Sequence, residues 1–142
     1  MSARSKARKR ALDVLYEADM KGIPASQVLA QVTERRHSEE GVRPHDYTVD
    51  LVTGVEAHRD RIDEILQTNS HGWVISRMPA IDRNILRMAA FELLWGGQAP
   101  DAVVIDEAVG LSKELSTDES PGFINGVLAR LVQVRPMLEL DD

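Results

Sequence analysis

Apolar side chains recur every three or four residues along most of the chain, which is the spacing of one face of an α-helix. The first such segment carries Ala7, Ala11, Val14, Leu15 and Ala18 on a single face. The pattern predicts helices over residues 3–20, 26–36, 44–68, 73–78, 81–95, 100–115 and 120–134. We therefore expect an all-α protein, folded as a compact bundle of about seven helices.

Local signals mark where these helices begin and end. Gly22 and Pro24 are typical of the end of the first helix, because neither residue continues a helix well. Residues 37–43, HSEEGVR, are predicted to form a polar loop. The pair Ser120-Pro121 predicts a helix start, with a serine cap followed by proline in the first helical position.

Three further expectations concern packing. Gly122 and Gly126 lie one helical turn apart, which favours close approach of the last helix to a neighbour. Trp73 and Trp95 are expected to pack at the ends of helices. Residues 139–142, ELDD, are expected to form a loose acidic tail.

Charge is distributed unevenly along the chain. The whole chain of 142 residues carries a net charge of -6, yet its first ten residues contain no acid. We call residues 1–10 the basic arm. A solvated, frayed terminus and a local nucleic-acid contact both explain such an arm, since binding depends on local phosphate neutralisation. Its basic residues are Arg4, Lys6, Arg8, Lys9 and Arg10.

Several classes of chemistry find no support in the sequence. The chain has no cysteine, which excludes disulfides, thiolate metal sites and cysteine nucleophiles. The four histidines are scattered without metal-ligand spacing, and no phosphate-binding glycine loop or nucleophile elbow occurs. Signal peptides and apolar runs of about 18 residues are also absent. We expect a single cytoplasmic domain over residues 1–142 that is not an enzyme and needs no cofactor or metal.

Four stretches of the chain together resemble the NusB family of antitermination factors. They are the basic arm leading into Leu15-Tyr16, the segment from Tyr47 to Asp63, the segment from Trp73 to Leu93, and the segment from Asp106 to Leu128. The most specific part is the series ILR at 85–87, DEAVGLSK at 106–113 and FINGVL at 123–128. Two departures are Asp106, where the family commonly has asparagine, and an aromatic content of only 4%.

The resemblance implies an all-helical fold of two subdomains and a function without catalysis. NusB-like proteins pair with a small-subunit ribosomal protein that also acts as NusE. The pair binds the single-stranded boxA element of ribosomal RNA leaders. As part of the RNA polymerase antitermination complex, it helps the polymerase read through terminators.

The resemblance also gives the candidate residues a role. The five basic residues of the arm are expected to contact phosphates. Tyr16 is either a platform for base stacking or a tyrosine at the edge of the core, and Phe123 is either such a platform or a core residue. Asn125 either bonds a base edge or ties down the preceding loop, and Glu119 either accepts from base amino groups or belongs to a solvated turn.

A second candidate surface concerns the ribosomal protein partner. Helical spacing places Asp82, Arg83 and Arg87 on one strip, which we expect to be exposed. The resemblance makes this strip a candidate surface for the ribosomal protein, and surface ion pairs are the alternative role of these residues. Asp82 lies in the first turn of its helix, where a carboxylate suits the helix dipole. Two alternatives stay open: a protein-interaction scaffold or homodimer, and the front domain of a ribosomal RNA methyltransferase, which needs a second, cofactor-binding domain.

Overall fold

The computed structural model describes residues 2–41 and 44–141, and this part of the chain folds into six α-helices without a strand. Segment 73–78 contains a single 3₁₀ turn, Ile75–Arg77. A π-helical turn, Glu92–Gly96, and a second 3₁₀ turn, Arg135–Met137, continue two of the helices. The all-α prediction is therefore confirmed. The helices are α1 Ala3–Lys21, α2 Ala25–Glu40, α3 Asp46–Asn69, α4 Ala80–Phe91, α5 Asp101–Leu115 and α6 Ser120–Val134.

The chain divides into two compact units, Met1–Ala57 and His58–Asp142, as the two-subdomain expectation requires. In the first unit, α1 and α2 pack against each other. A three-residue connection reverses the chain, which makes the two helices antiparallel. Gly22 permits this reversal, because it adopts a left-handed conformation with φ of 66°. The N–H of Ile23 then donates to the carbonyl of Ala18 at 3.1 Å.

In the second unit, α4, α5 and α6 pack against one another around an apolar core. Arg135 joins the end of α6 to the start of α5, because its guanidinium donates twice to the Asp101 carboxylate, at 2.9 and 2.8 Å. Periodicity predicted many of the core positions in both units, but Leu29, Val32, Ile81, Ile105 and Val109, which the same pattern places inward, are only partly buried. Side chains at most 1% exposed include Ala7, Ala11, Leu51, Val55, Ile62, Ile65, Leu66, Ile85, Met88, Ile124, Leu128 and Leu131.

Two predicted boundaries were wrong. The expected loop at 37–43 is helical through Glu40, because no residue before Gly41 breaks the helix; Val42 and Arg43 lie outside the described residues. Pro44 precedes α3 by two residues instead of occupying its first turn. His45 directly precedes α3, and its Nδ1 accepts a hydrogen bond from the N–H of Tyr47 in the first turn at 3.0 Å.

Two expectations about α6 were also wrong, one about its N-terminal cap and one about its packing. Ser120 does not cap the helix with its side chain, because its hydroxyl donates to the Asp82 carboxylate at 2.8 Å. Gly122 and Gly126 do not mediate close packing. A Cβ added at either glycine would meet no atom within 4 Å, and both glycines are exposed.

The sequence predicted a loose tail at residues 139–142. In the structure, the described part of this tail is bonded to the second unit. Nη2 of Arg61 donates to the carbonyl of Glu139 at 3.3 Å. Trp95 donates from Nε1 to the carbonyl of Asp141 at 2.6 Å, and its ring stacks on His58 with 4.2 Å between centroids. Trp95 is therefore packed, as expected. Asp142 lies outside the described residues.

Candidate nucleic-acid interface

The basic arm is helical from Ala3 onward, so the frayed terminus is excluded for the described part of the arm. Ser2 caps α1, since its Oγ accepts from the N–H of Ser5 at 3.0 Å. The arm is also anchored to the start of α3, because Oγ1 of Thr48 donates to the buried carbonyl of Ala7 at 3.0 Å. These bonds hold the backbone of the arm in a helix before any ligand arrives.

The five basic residues of the arm were all expected to contact phosphate, but Arg8 is not accessible to it. Its side chain is buried, with 2% exposed. The guanidinium lies 5.3 Å from the centre of the Tyr47 ring and donates to the Tyr47 hydroxyl at 3.5 Å. Arg8 therefore joins α1 to α3 and faces away from solvent, which makes it a structural residue of the arm.

The other four basic residues remain accessible. Arg4 is exposed, and its guanidinium lies 4.8 Å from the centre of the Tyr47 ring, a distance that permits a cation–π contact. Lys6 and Arg10 are exposed one helical turn apart, and Lys9 is partly exposed. Four cations therefore lie on the solvent side of the first two turns of α1, where they favour a polyanion.

Tyr16 continues the same helix and is 36% exposed. Met20, one turn further on, is 58% exposed. Both sequence interpretations of Tyr16 agree with this position, since the residue sits at the edge of the core and still presents part of its ring to solvent. A stacking role for Tyr16 stays a prediction.

The remaining predicted RNA-binding residues lie in the second unit, around the start of α6. Glu119 and Asn125 are exposed, and Phe123 is partly buried. The Phe123 ring packs against the ring of Trp73, with 5.6 Å between centroids and 57° between planes. Trp73 is packed as expected only in part, since 53% of it stays exposed beside this ring contact. Sequence reasoning missed this aromatic surface; a tryptophan in a short polar connection was the available signal.

The strip of Asp82, Arg83 and Arg87 is not exposed as predicted. Asp82 and Arg87 are buried, with 4% and 3% exposed, and Arg83 is partly buried. Arg83 donates from Nη1 to the carbonyl of Met78 at 3.3 Å. Arg87 donates from Nε and Nη2 to the two oxygens of Asp63, at 2.8 and 3.0 Å. This bidentate pair occupies the guanidinium within the second unit.

Asp82 is held by hydroxyl groups of the same unit. Its two carboxylate oxygens accept from the hydroxyls of Ser116 at 2.6 Å and Ser120 at 2.8 Å. Thr117 extends the cluster with a 2.9 Å contact between its hydroxyl and that of Ser120. The cluster ties the first turn of α4 to the turn that precedes α6, which is a structural task.

Residues 2–41 and 44–141 show neither a metal site nor a membrane-spanning helix. No set of three or more histidine, cysteine or acidic side chains is placed to hold a metal ion there. Within the same residues, no helix combines the length and the apolar character needed to cross a bilayer.

Comparison with known proteins gives consistent matches. A model of the NusB family matches residues 5–133. The chain is 54% identical over 144 residues to the transcription antitermination protein NusB of Beutenbergia cavernae, covering 97% of this chain and 94% of that protein. The NusB structure of T. maritima matches with a TM-score of 0.80 at 26% identity, covering 93% of this chain and 92% of that one. A solved complex of the antitermination factors NusB and NusE with double-stranded RNA matches with a TM-score of 0.79 at 27% identity, over 92% and 96% of the two chains.

Proposed function

This chain belongs to the NusB family, and on that basis we propose that it is a transcription antitermination factor that binds boxA-type RNA of ribosomal RNA leaders together with NusE. In this role it helps RNA polymerase read through terminators in the cytoplasm. It acts by binding and not by catalysis. A chain of the solved complex of NusB and NusE with double-stranded RNA matches 92% of this chain. That match supports both NusE and RNA as partners.

The observation that carries the RNA contact is the ordered row of cations on α1. Arg4, Lys6, Lys9 and Arg10 have accessible side chains on a helix that is capped by Ser2 and anchored at Thr48, Tyr47 and Arg8. Because the backbone that carries these cations is already helical, binding costs less backbone conformational entropy than it would for an unstructured arm. Outside the arm the chain holds 12 basic and 23 acidic residues, so its general charge disfavours RNA and the arm is the main attraction for it.

Fluorescence anisotropy with a boxA-like leader RNA and a scrambled control tests this function, with and without NusE. Three to five phosphate contacts on single-stranded RNA predict a slope of log K against log salt of roughly -2 to -3.5. Tight binding that discriminates against the scrambled RNA, and that NusE strengthens, is the expected result. Equal binding of both RNAs with NusE present contradicts the proposal.

Alanine at the four accessible cations of the arm should remove most of that slope. The matched control replaces four exposed cations elsewhere by alanine, at Lys21, Arg59, Arg77 and Arg130. Both variants lower the net charge equally, so a difference between them reports local contact. If both weaken RNA binding to the same extent, the arm has no specific role.

The partner surface and the oligomeric state stay predictions. Asp82, Arg83 and Arg87 were predicted to contact NusE, and the burial of two of them leaves Arg83 as the more accessible member. A homodimer remains the alternative, and sedimentation across a range of concentrations tests it. A monomer at all concentrations contradicts the homodimer.

A further inference from the structure

The first unit contains a groove whose lining extends beyond the basic arm to α2. Helices α1 and α2 and the start of α3 enclose a cavity of about 440 Å³. This volume lies within the usual range of small-ligand pockets, about 300–1,000 Å³. Its floor is apolar and formed by Ala7 and Val14 of α1 together with Leu29 and Val32 of α2. We call this feature the α1–α2 groove.

One end of the groove is strongly basic. Because α1 and α2 are antiparallel, the first turns of α1 lie beside the last turns of α2. Lys6 and Arg10 line the groove from α1, and Arg35 and Arg36 line it from α2. Four cations from two helices therefore surround one opening, which attracts an anion by charge complementarity.

The other end of the groove is acidic. Asp13 and Glu17 follow Arg10 along the same face of α1. Glu17 accepts from Nζ of Lys21 at 3.3 Å. Burial raises the pKa of Asp13, while the nearby charge of Lys9 opposes that rise. The groove thus has a direction, with cations at the N-terminal end of α1 and carboxyl oxygens about one to two turns further on.

This polarity fits a nucleotide. A phosphate matches the four cations, the face of a base matches the apolar floor, and an amino group on a base edge matches the acceptor oxygens of Asp13. An acidic peptide fits less well, because it supplies neither a flat base for the apolar floor nor a base amino group for the oxygens of Asp13. Arginine planes also stack on unpaired bases, and Arg35 and Arg36 bring two of them to the rim.

We propose that the α1–α2 groove binds a nucleotide of the single-stranded RNA that crosses the basic arm, with Arg35 and Arg36 as phosphate contacts. The proposal rests on the proposed function and extends its RNA surface from α1 to α2. Lys6 and Arg10 provide the continuity, since they belong to the basic arm and also line the groove. RNA following the arm therefore reaches the groove without leaving the surface of α1.

The first test compares two variants of equal charge. Arg35→Ala/Arg36→Ala removes the two cations that α2 contributes, and Arg77→Ala/Arg130→Ala removes two exposed arginines of the second unit. The probe is a fluorescein-labelled, single-stranded leader RNA that contains a boxA-like element, titrated with and without NusE. Two lost phosphate contacts reduce the salt slope by about 1.4 and weaken binding about 25-fold at 0.1 M salt. The control should change affinity by no more than about 2-fold, because neither arginine lines the groove.

The second test needs no loss of charge. The chain contains no cysteine, so Thr33→Cys, in the lining of the groove, introduces the only thiol. Saturating leader RNA should slow the reaction of this thiol with a maleimide at least 10-fold. Ser76→Cys, at an exposed position of the second unit, serves as the control and should keep its rate of reaction with the maleimide.

The outcomes separate the groove from the function as a whole. If the unaltered chain binds leader RNA but the groove variant equals its control, or Cys reactivity is unchanged by RNA, the groove proposal is wrong and the antitermination function stands. Protection of the thiol by NusE alone would assign the groove to protein instead of RNA. Failure of the unaltered chain to bind the RNA, even with NusE, overturns both proposals.

Discussion

Replacing Asp82 by alanine tests whether this residue holds the second unit together, as its burial indicates. The side chain is 4% exposed and accepts hydrogen bonds from Ser116 and Ser120, which lie 34 and 38 residues further along the chain. We expect Asp82→Ala to lower the free energy of unfolding, because it releases the first turn of α4 from the start of α6.

The magnitude follows from the two bonds that disappear. A hydrogen bond to a charged group contributes about 1.5–3 kcal/mol to stability, so two of them contribute about 3–6 kcal/mol. The real loss should lie near the lower limit, about 3 kcal/mol, since the hydroxyls of Ser116, Thr117 and Ser120 still have one another as partners. That amount is a large fraction of the total stability of a domain, typically about 5–15 kcal/mol.

Urea unfolding followed by circular dichroism measures the effect. With a slope of about 2 kcal/mol per molar urea, a loss of 3 kcal/mol moves the midpoint down by about 1.5 M. Asp82→Asn keeps one acceptor oxygen and should lose roughly half as much. Asp118→Ala removes an exposed carboxylate from the turn before α6 and should change stability by less than about 0.5 kcal/mol. A loss below about 1 kcal/mol for Asp82→Ala, combined with weaker NusE binding, would refute the structural role and restore Asp82 as a partner contact.

Three further predictions follow from single interactions. Arg87→Met leaves Asp63 without its bidentate partner and should cost about 2–3 kcal/mol, seen as a thermal midpoint lower by about 4–12 °C; an unchanged midpoint would contradict the buried pair. Gly126→Ala should stabilise the chain by about 0.5–1 kcal/mol in the same assay, because an added Cβ meets nothing and alanine is the better helix former; destabilisation would show that close packing exists after all. The hydrogen bonds and charge of Arg135 hold the pKa of Asp101 below its ordinary value of 3.8. The ion pair therefore stabilises the fold above about pH 4, and this stabilisation is lost as the pH falls through the lowered pKa. Asp101→Asn should therefore be less stable than the unaltered chain at pH 7 and equal to it at strongly acidic pH, and a gap that persists in acid would refute the titration.

Much of the fold could be predicted because helical periodicity is a local property. The inward residues of α1 and α3 recur within one turn of each other, and the burial of Ala11, Leu51 and Ile65 follows from that spacing. Boundaries were less certain where no strong breaker occurs. Helix α2 continues to Glu40, since residues 37 and 38 tolerate helix as well as loop, and only Gly41 ends it.

The candidate site was predictable in composition but not in exposure. The basic arm was recognisable from its charge, and its accessible members are the four cations other than Arg8. Nothing within the first ten residues distinguishes Arg8 from Lys6 or Arg10, because the burial of Arg8 depends on Tyr47, 39 residues away. Arg35 and Arg36 were missed for the same reason, since they join Lys6 and Arg10 only when α2 folds back along α1.

The sequence by itself determined the helices, the apolar faces that form the core, the absence of cysteine chemistry and the charge of the arm. These features depend on residue type and on spacing within a few turns, which the linear chain states directly. Only the tertiary structure decided which polar residues became structural. Arg8, Asp82 and Arg87 look like surface charges on their own helices, and each is buried against a partner at least 24 residues away. The physical reason is that burying a charge is tolerated only beside a specific partner, and distant partners meet only after the chain has folded.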